Sequence, residues 1–384
     1  KKKILLFGPI SNFGGREIET GFIASVFMSK FDVEILTTES ISSKSQVYDF
    51  NKNIKIHSIK GLMYKKYFII RALCFMSFFK NFFREKISNY ANNYLAKRFF
   101  NYENKTKIIL EEILPKYDVV FICAQLSSAL ICDVVRIAKK SNKKIIFRTT
   151  GTIENIDYDF IESIDCFIHH SQENANRIEK FIKHKYTIID QCAFNEYELL
   201  KLPFSKNYKN NFLVLARLSP EKGVEELITF FLLASSENDF LYIAGSGILE
   251  NYLKDKYGNS KRLNFLGFVD STKISDLFAN NDYIIIPSFQ ESGPLVGIEA
   301  MAAGKLIIST KVGAMSERLN ETLNNFWFDI DDYNSFKILY DKLKRIDSST
   351  KELISKSLKE KYIKSYSIET ISMEYINLIV KITQ

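Results

Sequence analysis

Glu291-Ser-Gly-Pro-Leu-Val-Gly-Ile-Glu299 places two carboxylates with seven residues between them, astride a Gly-Pro pair. The apolar run Tyr283-Ile-Ile-Ile-Pro precedes it and Ala300-Met-Ala-Ala-Gly304 follows, so the segment reads as strand, loop and about three turns of helix. Pro294 suits the first helical position and Gly293 the cap before it. The amides of Leu295 and Val296 then lack intrahelical partners and face the loop, where a helix N-terminus attracts phosphate. Glu291, with Ser292 and Gly293, lies on the rim of that anion site. Glu299, at roughly 1.5 Å of rise per residue, lies about 6 to 9 Å down the helix, where a ribose would sit if a diphosphate capped the helix. One carboxylate can hold a ribose diol while the other faces the group on the far phosphate, which describes a nucleotide-sugar site. The alternative is a solvated Glu and a helix Glu flanking an ordinary turn.

A second strand, loop and helix occupies Asn211-Phe-Leu-Val-Leu-Ala-Arg217-Leu-Ser-Pro-Glu-Lys222-Gly223, with Arg217 at the strand's end and Lys222 at the helix entrance. Ligands of open α/β sheets bind at the carboxyl ends of strands. Two cations there could offset charge on a departing diphosphate without a metal. Read without a ligand, they are surface cations placed against the macrodipole. Ile243-Ala-Gly245-Ser-Gly247 adds a glycine turn, and Leu263-Asn-Phe-Leu-Gly-Phe-Val269 a strand ending where a base could lie between apolar side chains.

In their order and spacing, these elements resemble the retaining glycosyltransferases of family four, over about residues 211 to 318. The resemblance implies the GT-B fold, two Rossmann-like domains with parallel sheets facing across a cleft. In the amino-terminal half it rests on Lys3-Ile-Leu-Leu-Phe-Gly8 and Asn12-Phe-Gly14-Gly15-Arg-Glu17, which is similar to the family's glycine loop; Gly14 and Gly15 are then expected near the donor diphosphate. The chain departs from the family at Thr150, where many members carry a histidine, so that role must be absent, supplied otherwise, or fall to Thr150 or Arg148.

The 384 residues suit two domains: 1–200 on the acceptor side, with a final helix at about 366–384 crossing back, and 201–365 for the nucleotide sugar. The polar stretch 201–211 is the expected linker. Strands are expected near 3–8, 33–38, 54–59, 118–124, 143–149, 165–169 and 186–190, then near 211–216, 240–244, 263–267, 282–286, 305–309 and 325–328. Apolar residues make up 46% and charged residues 26%, as in soluble globular proteins. The five cysteines form no Cys-x-x-Cys pair and read as reduced core residues of a cytosolic protein. His169-His170 precedes a helix cap at Ser171, and capping explains Asp329-Ile-Asp331-Asp332 better than metal binding. Lys1-Lys-Lys leads directly into a strand, so no signal peptide is expected.

Residues 61–107 carry ten Lys and Arg against Glu85 and Glu103, with paired aromatics at Phe78-Phe79, Phe82-Phe83 and Phe99-Phe100. Three readings stand: a basic helical pair packing aromatics into the core, a surface for anionic membrane, or an RNA contact without a recognisable module.

The expectation is a metal-independent retaining transferase using a nucleoside-diphosphate sugar, a UDP-sugar foremost, in assembly of a bacterial surface polysaccharide or glycolipid. It needs no cofactor and no nucleic acid, and its acceptor is a glycan or lipid-linked. Arg217 and Lys222 neutralise the diphosphate, Glu291 contacts the sugar and Glu299 the ribose; Gly245, Val269, Ser292, Gly293, Leu295 and Val296 complete the donor contacts. The rivals are a nucleotide-sugar epimerase of the same fold and a non-catalytic glycan- or partner-binding subunit.

Overall fold

The computed structural model describes every residue except 152, 154–156 and 206–207. The chain divides into two compact units. One comprises Lys1–His169, Ala175–Ile189 and Ser372–Gln384, and the other His170–Asn174 and Asp190–Ile371.

The first unit holds a seven-stranded sheet: β1 (Lys3–Gly8), β2 (Asp32–Thr37), β3 (Lys55–Ser58), β4 (Val119–Ala124), β5 (Lys144–Thr149), β6 (Cys166–His169) and β7 (Tyr186–Ile188). Their order is β3-β2-β1-β4-β5-β6-β7 and every pairing is parallel. β4, Val-Val-Phe-Ile-Cys-Ala, is buried at all six positions, as a strand covered on both faces must be. From Ser372 onward the last helix, Ile368–Thr383, belongs to this unit. Its Tyr375 lies 6.1 Å from the Phe27 ring and 6.3 Å from that of Phe121.

The second unit holds a five-stranded parallel sheet: β8 (Asn211–Leu215), β9 (Phe240–Ala244), β10 (Leu263–Gly267), β11 (Tyr283–Ile286) and β12 (Leu306–Ser309), in the order β10-β9-β8-β11-β12. Phe212 of β8 stacks on Tyr283 of β11 at 4.6 Å and meets Phe231 edge-on at 5.4 Å. The strand expected near 325–328 does not form. Trp327 makes one bridge to Ser309, after which the Asp329 carboxylate accepts from the Asp331 amide at 3.0 Å and turns the chain away. Asp332 caps the helix Tyr333–Arg345 by accepting from the Asn334 amide at 2.9 Å.

Strand order reverses between β1 and β4 in one sheet and between β8 and β11 in the other. Loops diverge at such a point and leave a crevice at the strands' carboxyl ends. In the second unit this places the residues after Leu215 beside those after Ile286, since Phe212 pairs with Tyr283 and Leu213 with Ile284.

Residues 61–107 are mainly helical, with helices Ile59–Lys66, Phe68–Lys80, Tyr94–Phe99 and Tyr102–Ile113 spanning or overlapping them. Their paired aromatics are not core residues: Phe79, Phe82, Phe83 and Phe99 are exposed. Only Ile70, Leu73 and Cys74 of Phe68–Lys80 are buried. No disulfide joins any of the five cysteines, all of them among the described residues, and Cys132 is half-buried.

Candidate functional site

The two loops at the switch point of the second unit are drawn together by backbone. Gly223 has φ +61°, and a Cβ there would lie 2.2 Å from the Pro287 carbonyl oxygen, so no side chain fits. The Phe289 amide donates to the Glu221 carbonyl at 3.0 Å. With the loops joined, Lys222 Nζ forms an ion pair with Glu291 Oε1, and Ser288 Oγ donates to the same oxygen at 3.3 Å. Each side chain of the pair keeps 18% of its surface exposed, so a ligand can reach it.

Arg217 is exposed just past the end of β8. Beside it, Gly245 has φ +131°, and a Cβ there would lie 1.8 Å from the Ala216 carbonyl oxygen. That glycine lets the turn after β9 close onto the Arg217 loop, where the Leu218 amide donates to the Ser246 carbonyl at 3.0 Å. Val269 is half-buried and packs on the unit's core, while Phe268 is 60% exposed.

The helix after β11 is Leu295–Ala303, with Pro294 as its N-cap residue at ψ 117°. This corrects the expected register: Pro294 stands one position outside the helix and Gly293 precedes the cap. The first intrahelical-type bond runs from the Gly297 amide to the Pro294 carbonyl at 3.0 Å. The Leu295 and Val296 amides thus keep the position expected of anion donors.

Glu299 is 3% exposed on the buried side of this helix. Burial pushes its carboxyl up to about 8, and no cation or donor among the described residues offsets that.

The sequence reading missed what holds the 291–294 loop. Arg318, fully buried, makes a bidentate pair with Asp190 at 2.7 and 2.8 Å and donates to the Pro294 carbonyl at 2.6 Å. Burial opposes ionisation of Asp190, yet Arg318 and then His170 hold its carboxyl well below the usual carboxylate range. The Ser292 carbonyl accepts from the Ala314 amide and from Asn174 Nδ2, both at 2.9 Å. The available signal was Arg318 itself, a cation within the apolar-rich run Val312–Leu319, but its partner lies 128 positions away.

In the first unit, the Gly14 amide donates to Gln46 Oε1 at 2.8 Å, and Gly15 is exposed as the first residue of the helix Gly15–Met28. Arg148 cannot supply the missing histidine's role. It is fully buried, bonded to Glu19 at 2.6 and 2.9 Å and to the Ile189 carbonyl at 2.6 Å. Thr150 Oγ1 accepts from Arg16 Nε at 3.2 Å, which puts a guanidinium beside Thr150. Ser171 caps the helix Gln172–Glu179 by accepting from the Asn174 amide at 3.2 Å.

Residues 201–360 match the family described as Glycosyl transferases group 1. An uncharacterized glycosyltransferase of Methanocaldococcus jannaschii is 31% identical over 170 residues, 43% of either chain. Another, from Bacillus subtilis, is 30% identical over 162 residues, 41% of this chain and 45% of its own. The chain thus spans less than half the length of these relatives. Among solved structures, Anabaena HepE, crystallised with UDP and with UDP-glucose, superposes with a TM-score of 0.74 over 99% of this chain and 100% of its own, at 15% identity. The fold is GT-B, and the similarity to group 1 glycosyl transferases lies in residues 201–360.

Proposed function

We propose that this chain, a GT-B protein similar to group 1 glycosyl transferases over residues 201–360, transfers a sugar from a nucleoside diphosphate, UDP foremost, to a glycan or lipid-linked acceptor with retention of configuration. The observation that carries the reading is the set of charges and amides at one switch point: Lys222 with Glu291, exposed Arg217, the Leu295 and Val296 amides, and buried Glu299. The UDP-bound neighbours of the same fold support the choice of nucleotide.

In this mechanism the diphosphate caps the helix Leu295–Ala303 and takes Lys222 as counter-ion, which frees Glu291 to accept from donor-sugar hydroxyls. Arg217 and Lys222 stabilise the charge that develops as the glycosidic bond to phosphate breaks. Glu299 accepts from the ribose hydroxyls. The proposal needs no metal, since the two cations supply the neutralising charge. Retention rests on the family resemblance. Front-face attack, with the departing phosphate accepting the acceptor's proton, accounts for it without a second carboxylate across the sugar.

The test is release of UDP from a panel of UDP- and GDP-sugars, with and without a membrane lipid or glycan extract. Acceptor-dependent release supports transfer. Conversion of donor to an isomeric nucleotide sugar without acceptor points to an epimerase, and binding without turnover of any donor to a non-catalytic subunit.

A further inference from the structure

The helix Phe68–Lys80 has two apolar faces. Ile70, Leu73 and Cys74 are buried in the first unit's core, as a surface helix requires. Phe68, Ala72, Phe75, Met76 and Phe79 recur at i, i+4, i+7, i+8 and i+11 and are exposed, Phe68 at 78%, Met76 at 64% and Phe79 at 62%. At about 1.5 Å per residue this outward stripe runs about 16 Å. It continues into the following turn, where Phe82 is 80% exposed and Phe83 58%. Both have left-handed backbone, φ 53° and 61°, a region bulky side chains rarely adopt. The turn is held by its own aromatic contacts, Phe83 lying 4.8 Å from Phe78 and 5.1 Å from Phe79. An exposed contiguous apolar patch of this size marks an interaction surface.

The charge around the stripe identifies the partner. Lys65 lies exposed before it, and Lys80, Arg84 and Lys86 after it. Residues 61–107 hold ten basic and two acidic side chains, an excess of +8 equal to that of the whole chain, so the remainder is balanced. A second copy meeting this face would set +8 against +8, whereas an anionic bilayer offers charge complementary to the rim and an apolar layer for the phenylalanines. No helix among the described residues is long and apolar enough to cross a membrane.

We infer that Phe68–Lys86 is a membrane-docking wedge, in which Phe75, Met76, Phe79, Phe82 and Phe83 enter the interfacial layer of an anionic bilayer while Lys65, Lys80, Arg84 and Lys86 meet its headgroups. This surface is independent of the proposed nucleotide site and does not rest on the transferase reading.

The experiment is cosedimentation of the full chain with phosphatidylcholine vesicles, with or without 30% phosphatidylglycerol, across a salt series. It is read together with the fluorescence of Phe83→Trp. Wild type should bind the anionic vesicles at least about tenfold better than the neutral ones, and salt should weaken this, because the headgroup attraction is screened beyond a Debye length of about 8 Å at physiological ionic strength. Met76→Ser/Phe82→Ser and Lys80→Glu/Arg84→Glu/Lys86→Glu should each lower binding at least about tenfold without lowering the thermal midpoint, because these side chains are exposed and take no part in the aromatic contacts that hold the turn. The Phe83→Trp emission should shift to the blue on adding anionic vesicles. Equal binding to both vesicle types, or an unshifted emission despite binding, overturns the wedge. So does concentration-dependent self-association abolished by the serine variant, which would assign the face to a second copy. Displacement of the protein by an oligonucleotide without any vesicle-dependent shift would assign it to nucleic acid.

Discussion

Lys222 and Glu291 are 69 residues apart in the chain and joined by an ion pair at the switch point of the five-stranded sheet. In the proposed reaction the pair is exchanged: the donor's diphosphate takes the cation and the carboxylate turns to the sugar. Lys222→Ala should therefore lower turnover by about 100-fold or more, by comparison with removal of one preorganised charge-stabilising donor elsewhere. Glu291→Gln should leave affinity for free UDP within about twofold while transfer falls. Steady-state rates and a UDP titration of both variants check this. Loss of UDP affinity in Glu291→Gln would place that residue on the nucleotide instead.

Glu299 gives a pH signature. Its carboxyl, raised from 4.5 to about 8 by burial, keeps in the folded chain a proton that the unfolded chain has lost. Its contribution to stability is intact below pH 4.5 and is lost as pH rises through 4.5 to 8, by at most about 1.4 kcal/mol per pH unit. Glu299→Gln should flatten that decline, measured as the difference between wild-type and variant unfolding free energies at pH 5 and pH 8. Ribose hydroxyls favour the ionised form, so wild-type UDP affinity should rise from pH 6.5 to 8 relative to the variant. Parallel pH profiles would remove Glu299 from the ribose.

Arg318 tests the loop's support. Arg318→Met leaves Asp190 buried without its cation, which costs about 3 to 5 kcal/mol, and it frees the Pro294 carbonyl. Denaturant unfolding measures the first effect. Arg318→Met/Asp190→Asn should regain much of that stability, yet its KM for donor should stay raised because the 291–294 loop is no longer held. A double variant with wild-type KM would show that Arg318 supports the fold only.

The strand ends and both site loops were legible because a buried parallel strand is a short apolar run, and because Gly223, Gly245 and the Pro294–Leu295 helix start are local signals. The Arg318–Asp190 pair was not, since nothing local ties a cation after β12 to a carboxylate after β7. Trp327 shows the opposite failure: the aromatic run 326–328 has strand composition but forms one bridge before Asp329 turns the chain. The phenylalanines after Arg71 were ambiguous because periodicity reports two apolar faces without saying which is covered. Arg148 was a candidate from its place on β5, and only its burial against Glu19 removed it.

The most direct test of the central claim is calorimetric titration of the purified chain with UDP in the presence of chelator. Wild type should bind one equivalent saturably and be stabilised by RT ln(1 + [L]/Kd), while Glu299→Ala loses most of that affinity and Lys222→Ala part of it. Absence of UDP binding, binding abolished by chelator, or equal binding by wild type and Glu299→Ala would contradict a metal-independent nucleotide site at this switch point.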